Sequence, residues 1–183
     1  QFTKDPRVAV RKVSFLRSNN IVLVGNLFLP PGFDSTKHYR TILVVHPAGS
    51  VKEQSAGLYA YELARRGFVT LAYDSSYAGE SGGTPYAAEM PYERVEDIRW
   101  AIDYLTTLPF VDERAIGALG ICAGGGYVIN AAQTERRIAA LAGVSAVDIG
   151  VANRRGWLNQ RTLEELSMLR TKEARGQPLE HIY

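Results

Sequence analysis

A single cysteine lies in a run of small residues, where Cys122 is preceded by Leu119-Gly120-Ile121 and followed by Ala123-Gly124-Gly125. The residues before it predict a buried strand, and the residues after it predict a helix. A nucleophile on such a strand-to-helix turn is held on a strained backbone, so the residues two before and two after it must be small. Gly120 and Gly124 meet this need and would form a nucleophile elbow. The free N–H groups of the helix N-terminus favour the reactive thiolate, so the pattern predicts that Cys122 is a nucleophile. The alternative is a structural cysteine in a glycine-rich packing turn.

A nucleophile that attacks a carbonyl group also needs donors for the oxygen that becomes negative. One predicted donor is the main-chain N–H of Ala123, directly after the nucleophile. The other is predicted in the loop after the first parallel strand, at Ala48 or Gly49, and the sequence does not choose between them. His46 opens this loop, and we interpret it as a hydrogen-bonding brace that lines the pocket rather than as a base.

Strand and helix patterns alternate along the chain that must position these groups. Two N-terminal apolar stretches, at residues 8–15 and 21–29, predict an antiparallel hairpin. Short apolar runs typical of buried strands follow at residues 41–45, 68–73, 115–120 and 138–144. Helices are predicted between and after them, at residues 53–66, 91–108, 124–133 and 163–175. This alternation predicts right-handed crossovers and a mostly parallel sheet with helices on both faces.

Polar residues after the second parallel strand lie at the sheet edge where open α/β sheets hold ligands. Asp74 ends that strand, and Tyr77 follows in a glycine-rich loop, so both are candidates to line the pocket. We interpret Asp74 mainly as a turn residue that braces its loop. Other charged residues nearby are interpreted as solvated, namely Lys52, Glu93, Glu96, Asp97 and Arg99.

The composition is ordinary for a globular domain, because 46% of the 183 residues are hydrophobic and 22% are charged. A net charge of +2 does not indicate a nucleic-acid partner. No apolar run approaches the roughly 20 residues of a membrane span. One cysteine excludes an internal disulfide and favours a reducing, cytoplasmic location. Since nucleotide-binding and zinc motifs are absent, we expect no cofactor and no metal.

Three motifs occur in a recognisable order: His46-Pro47-Ala48-Gly49, the segment from Asp74 to Gly83, and Gly120-Ile121-Cys122-Ala123-Gly124-Gly125. In order and spacing they resemble the α/β-hydrolase superfamily, in its dienelactone-hydrolase-like branch, from about residue 8 to residue 145. The resemblance implies a three-layer α/β sandwich, a nucleophile that can be cysteine, and an oxyanion hole. It also implies cleavage of an ester, thioester or lactone, or acyl transfer from one, as in polyketide thioester hydrolases and transferases.

The chain departs from the pattern of that family after Cys122. The family orders its triad as nucleophile, acid and histidine, and the last two follow later strands. Here one predicted strand follows, so the sheet is truncated before the last two strands, which need roughly 80–120 more residues. Asp148 follows the strand at residues 138–144 and is a candidate acid, or a helix cap or turn residue. His181 is the only later histidine, but its neighbours predict a lid or linker, so we expect the base to lie outside this chain.

We therefore expect residues 1–147 to form an incomplete α/β-hydrolase core and residues 148–183 to begin a lid, cap or linker that is partly helical. The predicted function is hydrolysis of an ester, thioester or lactone through Cys122. The alternatives are a polyketide-type acyltransferase and a non-catalytic binding or scaffold protein with this fold. The predicted partner is a small-molecule acyl substrate, with no nucleic acid and no membrane. A homodimer or a missing C-terminal segment would cover the open edge of the sheet.

Overall fold

A computed structural model describes residues 5–17, 20–157 and 160–177. The chain divides into two compact units, Gln1–Val147 and Asp148–Tyr183. The strands all lie in the first unit: β1 (Ala9–Leu16), β2 (Val22–Leu29), β3 (Tyr39–Val45), β4 (Val69–Tyr73), β5 (Val111–Ile121) and β6 (Ile138–Val144).

These strands form one six-stranded sheet in the order β1-β2-β4-β3-β5-β6. β2 runs antiparallel to both β1 and β4, whereas β3, β4, β5 and β6 are parallel to one another. The central strands are covered on both faces, and Leu43, Val44 and Val45 of β3 are fully buried. The predicted mostly parallel sheet with an antiparallel N-terminal hairpin is therefore confirmed.

The direction of each crossover places helices on both faces of the sheet. α1 (Ser55–Ala64) connects β3 to β4, whereas α2 (Pro91–Thr106) and α3 (Ala123–Ala132) lie in connections that step the opposite way, from β4 to β5 and from β5 to β6. Because crossovers between parallel strands are right-handed, α1 covers one face and the other two helices cover the opposite face. α2 packs on α3, and α1 packs on β2, β3 and β4. The result is the predicted three-layer α/β sandwich.

The strand β6 matches its predicted bounds but not its predicted burial. Five of its seven residues, from Ala139 to Gly143, are exposed. The reason is its position, because among the described residues β6 pairs only with β5 and forms an edge of the sheet. An apolar sequence indicates a strand, but it does not show whether a neighbour covers that strand.

The second unit is helical where the structure describes it. It contains α4 (Ile149–Ala152), a π-helical turn at Asn153–Trp157 and α5 (Gln160–Ala174). On α5, the apolar side chains of Leu163, Leu166 and Met168 are exposed. No helix in the described ranges is both long enough and apolar enough to cross a membrane.

Candidate active site

The topology brings the two predicted halves of the site to one edge of the sheet. The chain steps from β3 toward β4 but from β5 toward β6, so its direction reverses between the neighbouring strands β3 and β5. Ligands of open α/β sheets bind at such a reversal, beyond the carboxyl ends of the strands. Val45 at the end of β3 pairs with Gly120 of β5. The loop at residues 46–50 and the turn at Cys122 therefore leave the sheet side by side.

The backbone of Cys122 has an unusual conformation between β5 and α3. Its φ is 55° and its ψ is −121°, values that a residue with a side chain rarely adopts. Its N–H donates to the carbonyl of Val144 at 2.9 Å, and its own carbonyl accepts from the N–H groups of Gly125 and Val147 at 3.0 Å. The side chain is half-buried and packs against the apolar cluster that contains Val44 and Ile121. The sulfur is thus neither sealed in the core nor fully exposed.

The glycines on either side of Cys122 allow the close approach of three segments. A Cβ on Gly124 would lie 2.5 Å from the carbonyl oxygen of Val45 and 2.7 Å from that of His46. A Cβ on Gly120 would overlap the main chain of Gly124. Any side chain at either position would push α3 away from β5 or from the end of β3. The two glycines therefore fix the first turn of α3 against the start of the 46–50 loop.

The predicted oxyanion donors lie at the ends of these segments. Ala123 is the first residue of α3, and the first N–H groups of a helix have no partner within the helix. In the 46–50 loop, the N–H of Ser50 closes a turn on the carbonyl of Pro47 at 3.3 Å. Ala48 and Gly49 occupy the exposed centre of that turn, and Gly49 has a φ of +64°. Both residues therefore remain candidates for the second donor.

His46 is a buried brace between two loops. Its Nε2 accepts from the N–H of Ser75 at 3.2 Å, so Nδ1 is assigned the proton and donates to the carbonyl of Pro47 at 2.6 Å. Burial, together with the positive charge of Arg94, lowers the pKa of His46 to about 4. The ring is 1% exposed and neutral at pH 7. It is closed to solvent, although the sequence placed it in the pocket lining, and it is not free to act as a base.

Asp74 ties the loop after β4 to the loop after β3. It is fully buried and accepts from the N–H groups of Lys52 and Glu80 at 2.7 and 2.9 Å. The ammonium group of Lys52 lies 2.6 Å from its Oδ2. Asp74 is therefore the brace that the sequence favoured, and it is closed to solvent, although the sequence also placed it in the pocket lining.

The interpretation of Lys52 as a solvated lysine is wrong, because its side chain is 1% exposed. Besides Asp74, its Nζ contacts Glu80 at 2.6 Å and Glu53 at 2.8 Å. Burial alone lowers the pKa of Lys52, but the hydrogen bonds to these carboxylates outweigh burial and raise it above its usual value. Three carboxylates thus replace the water that a buried ammonium group loses.

Asp97 on α2 is also buried, although the sequence placed it on the wet face of that helix. It accepts from the N–H and the hydroxyl of Ser76, both at 2.7 Å, and from Arg17 at 2.9 Å. Burial raises the pKa of Asp97, and its hydrogen bonds and the charge of Arg17 act in the opposite direction. The helical phase of Asp97 could have indicated its burial, because Asp97 lies one turn from Ala101 and on the same face as Leu105.

Tyr77 lines a cavity of its own. It is half-buried with a φ of 70°. The open cavity has a volume of about 350 Å³ and is lined by Asn20, Ile21, Tyr77, Gly83 and Thr84. Cys122 is not among the described residues that line this cavity. The part of Tyr77 in binding a substrate of Cys122 therefore stays a prediction.

The candidate acid, Asp148, belongs to the second unit of the chain. Asp148 begins the second unit and caps α4, where its carboxylate accepts from the N–H of Val151 at 2.9 Å. The structure thus gives it the helix-cap role that the sequence left open. His181 lies outside the described residues. Within residues 5–17, 20–157 and 160–177, no cluster of His, Cys, Asp and Glu side chains could hold a metal ion.

Comparisons with known proteins bear on the fold and the family of the chain. The YcjY protein of Escherichia coli strain K12 is 58% identical over 150 residues, which are 81% of this chain and 49% of that protein. The crystal structure of hypothetical protein PA2218 from Pseudomonas aeruginosa is 38% identical, covers 97% of this chain and 57% of that chain, and has a TM-score of 0.89. The crystal structure of the α/β hydrolase GrgF from Penicillium sp. sh18 has a TM-score of 0.80 at 22% identity, over 92% of this chain and 56% of that chain, which shows the fold.

The chain spans about half the length of the curated relatives it matches. The model of the dienelactone hydrolase family matches residues 29–147. These residues include the parallel strands, the 46–50 loop and the turn at Cys122. On this match, over an α/β-hydrolase fold, the chain belongs to the dienelactone hydrolase family.

Proposed function

We propose that the protein containing this chain hydrolyses an ester, thioester or lactone, with Cys122 as its nucleophile. The observation that carries the proposal is the backbone of Cys122, held at a φ of 55° directly before α3. Such strain persists only where the surroundings enforce it, and it concentrates at functional sites. Membership of the dienelactone hydrolase family supports the reaction class.

In the proposed reaction, the sulfur of Cys122 attacks the acyl carbon and a carbon–sulfur bond forms. The carbonyl electron pair moves onto oxygen, which accepts hydrogen bonds from the N–H of Ala123 and from that of Ala48 or Gly49. When the intermediate collapses, the bond to the leaving group breaks, and the leaving group takes up a proton. Water then attacks the thioester, releasing the carboxylic acid and regenerating the thiol.

A base must remove the thiol proton and later activate water. His46 cannot do this, because both of its ring nitrogens are engaged in hydrogen bonds. We propose that the base lies outside the described residues, with His181 and the carboxylate of Asp148 still candidates for base and acid. In this proposal residues 1–147 supply the nucleophile and the oxyanion donors, and residues 148–183 begin the lid.

The second candidate function is acyl transfer to an alcohol or amine. A relative named polyketide transferase, from Penicillium crustosum, is 29% identical over 126 residues, which are 69% of this chain and 41% of the transferase. Transfer uses the same thioester at Cys122, and an acceptor replaces water in the second step. Product analysis with and without an added alcohol or amine separates the two functions.

The test is acylation of the full-length protein by an aryl thioester. The reaction is monitored by the release of the aryl thiol and by the intact mass of the protein. We expect Cys122 to gain the acyl group, and the variant Cys122→Ala to release thiol no faster than buffer does. A chloroacetamide reagent gives a second measure of the same sulfur. If Cys122 reacts with both reagents no faster than a free cysteine peptide at neutral pH, the proposal fails and the scaffold alternative holds.

A further inference from the structure

Arg94 on α2 is a buried arginine that the reaction proposed above does not use. Its side chain is 2% exposed. One end of the guanidinium group donates to the carbonyl of His46 at 2.6 Å, and the other end donates to Glu89 at 3.2 and 3.3 Å. The guanidinium carbon lies 5.0 Å from the centre of the Tyr127 ring. One cation therefore contacts a loop carbonyl, a carboxylate and an aromatic face.

The partners of Arg94 belong to the two segments that carry the proposed oxyanion donors. His46 opens the loop that contains Ala48 and Gly49. Tyr127 lies on α3, which begins with the other donor, Ala123. The hydroxyl of Tyr127 also donates to Glu89 at 2.9 Å, so Glu89 holds both Arg94 and α3. Arg94 thus joins the loop after β3 to the helix after the nucleophile.

The carbonyl of His46 is the point where these contacts meet. Arg94 donates to its oxygen, and the same oxygen is one of those that a Cβ on Gly124 would approach, at 2.7 Å. A carbonyl pressed against a helix N-terminal turn has little room to shift while its hydrogen bond persists. We expect loss of that bond to let the carbonyl rotate and the following loop shift with it.

The burial of Arg94 has a cost that packing alone does not explain. The counter-ion of Arg94 is Glu89, whose side chain is 31% exposed. The Nε of Arg94 has no hydrogen-bond partner among the described residues. A buried cation that is only partly compensated is less favourable than an apolar side chain of similar volume. The hydrogen bond to the carbonyl of His46 distinguishes Arg94 from a side chain that only fills space in the core.

We propose that Arg94 is a positioning residue for the oxyanion site, and this inference rests on the proposed acyl chemistry of Cys122. By holding the carbonyl of His46 against α3, Arg94 sets the separation of the Ala123 amide from the amides of Ala48 and Gly49. Both donors must lie within hydrogen-bond distance of the same developing oxyanion. A displacement of about 1 Å is enough to lower a rate by about 100-fold.

Two reactions of the same sulfur test this role in the full-length protein. Acylation by an aryl thioester passes through an oxyanion, whereas alkylation by iodoacetamide displaces iodide from a saturated carbon and forms none. We expect Arg94→Met to slow acylation of Cys122 by about 10- to 100-fold and to leave alkylation within about twofold of wild type. Arg94→Lys keeps a donor and a positive charge, so we expect it to recover part of the lost acylation rate.

The matched control is Arg99→Gln on the same helix. Arg99 is partly exposed and pairs with Glu96 and Thr134 instead of the loop, so neither reaction should change. If both reactions of the Arg94 variants slow equally, or neither slows, the positioning role is wrong. If acylation of the wild-type protein is absent from the start, it is the proposed function that fails.

A second variant keeps the test decisive if Arg94→Met does not fold, as judged by its thermal unfolding. Glu89→Gln keeps Arg94 but removes the charge that orients it, at a position where the side chain reaches solvent. We expect the ratio of acylation to alkylation to fall by about threefold or more. An unchanged ratio in folded Glu89→Gln, with the Arg94 variants unfolded, would overturn the inference.

Discussion

At the scale of single residues, the site depends on groups held in states that they would not adopt in water. Cys122 keeps a strained backbone because its N–H is bonded to Val144 and its carbonyl to Gly125 and Val147. His46 stays neutral because burial and the nearby charge of Arg94 disfavour its protonated form. The backbone conformation of Cys122 and the neutral form of His46 both depend on the folded packing around them. The neutral form of His46 can be tested by changing the pH.

The neutral state of His46 makes a prediction about pH. Its pKa is about 4 in the folded protein and about 6.5 when unfolded. Between these values the unfolded chain binds a proton that the folded chain does not. The contribution of His46 to stability is therefore complete above pH 6.5 and is lost as the pH falls toward 4. From pH 7.5 to pH 5 the loss is about 2 kcal/mol.

Urea unfolding of wild type and His46→Gln at pH 7.5, 6 and 5 measures this effect. Glutamine can keep hydrogen bonds but cannot titrate, so the stability of the variant should fall less steeply with decreasing pH. The difference between the two proteins is the quantity to follow, because the carboxylates titrate in both. Parallel pH profiles would show that His46 is protonated in the folded protein as readily as in the unfolded chain.

The sequence pattern predicted the glycines around Cys122 but not the burial of Arg94 and Asp97. The glycines around Cys122 have a steric cause that sequence spacing records. Arg94 and Asp97 have no such signature, because charged residues on a helix are usually solvated. Their helical phase matches the buried Ile98 and Ala101, but phase alone does not show that Arg17, Ser76 and the carbonyl of His46 lie opposite. Those partners come from distant parts of the chain.

At the scale of elements, the loops after β3 and β4 are joined by the buried pair of Lys52 and Asp74. The carboxylate of Asp74 accepts from the main chain and from the ammonium group of Lys52. Glu80 contributes from the protein surface, where it also pairs with Lys12. This pairing ties the chain at Lys52, shortly after the candidate donors Ala48 and Gly49, to the end of β4.

We expect Lys52→Met to destabilise the protein by about 3–5 kcal/mol, because it leaves the buried charge of Asp74 without its counter-ion. The matched control is Lys12→Met, which removes a lysine from Glu80 at an exposed site and should change stability little. Urea unfolding at pH 7 measures both variants. Equal effects of the two substitutions would mean that the buried pair contributes no more than the surface pair does.

The sequence predicted the starts of strands and helices better than it predicted their burial or the spatial order of the strands. The strand at residues 138–144 and the helix that begins at Pro91 have their predicted starts, because apolar runs and proline act locally. The exposure of β6 was not predicted, since burial depends on which strand lies beside it. The sequence order β3, β4, β5 likewise hides the spatial order in which β3 lies between the other two.

At the scale of the whole molecule, β6 leaves the sheet with an open parallel edge in the described part of the chain. Its main-chain groups on one side have no strand partner there, and the side chain of Leu141 is 49% exposed. Open edges of this kind pair with other chains unless charges or prolines block them. β6 contains no charged residue and no proline, and Arg136 and Arg137 lie directly before it.

We therefore expect the 183-residue chain, expressed alone, to associate through β6 with a second copy of itself. Light scattering over a range of concentrations should show a mass that rises above that of the monomer. Leu141→Lys places a charge on the edge strand and should lower this mass. Ile129→Lys is the control, because Ile129 is similarly exposed, at 46%, but lies on α3. A monomer at every concentration, or equal effects of the two lysines, would show that β6 is not the site of association.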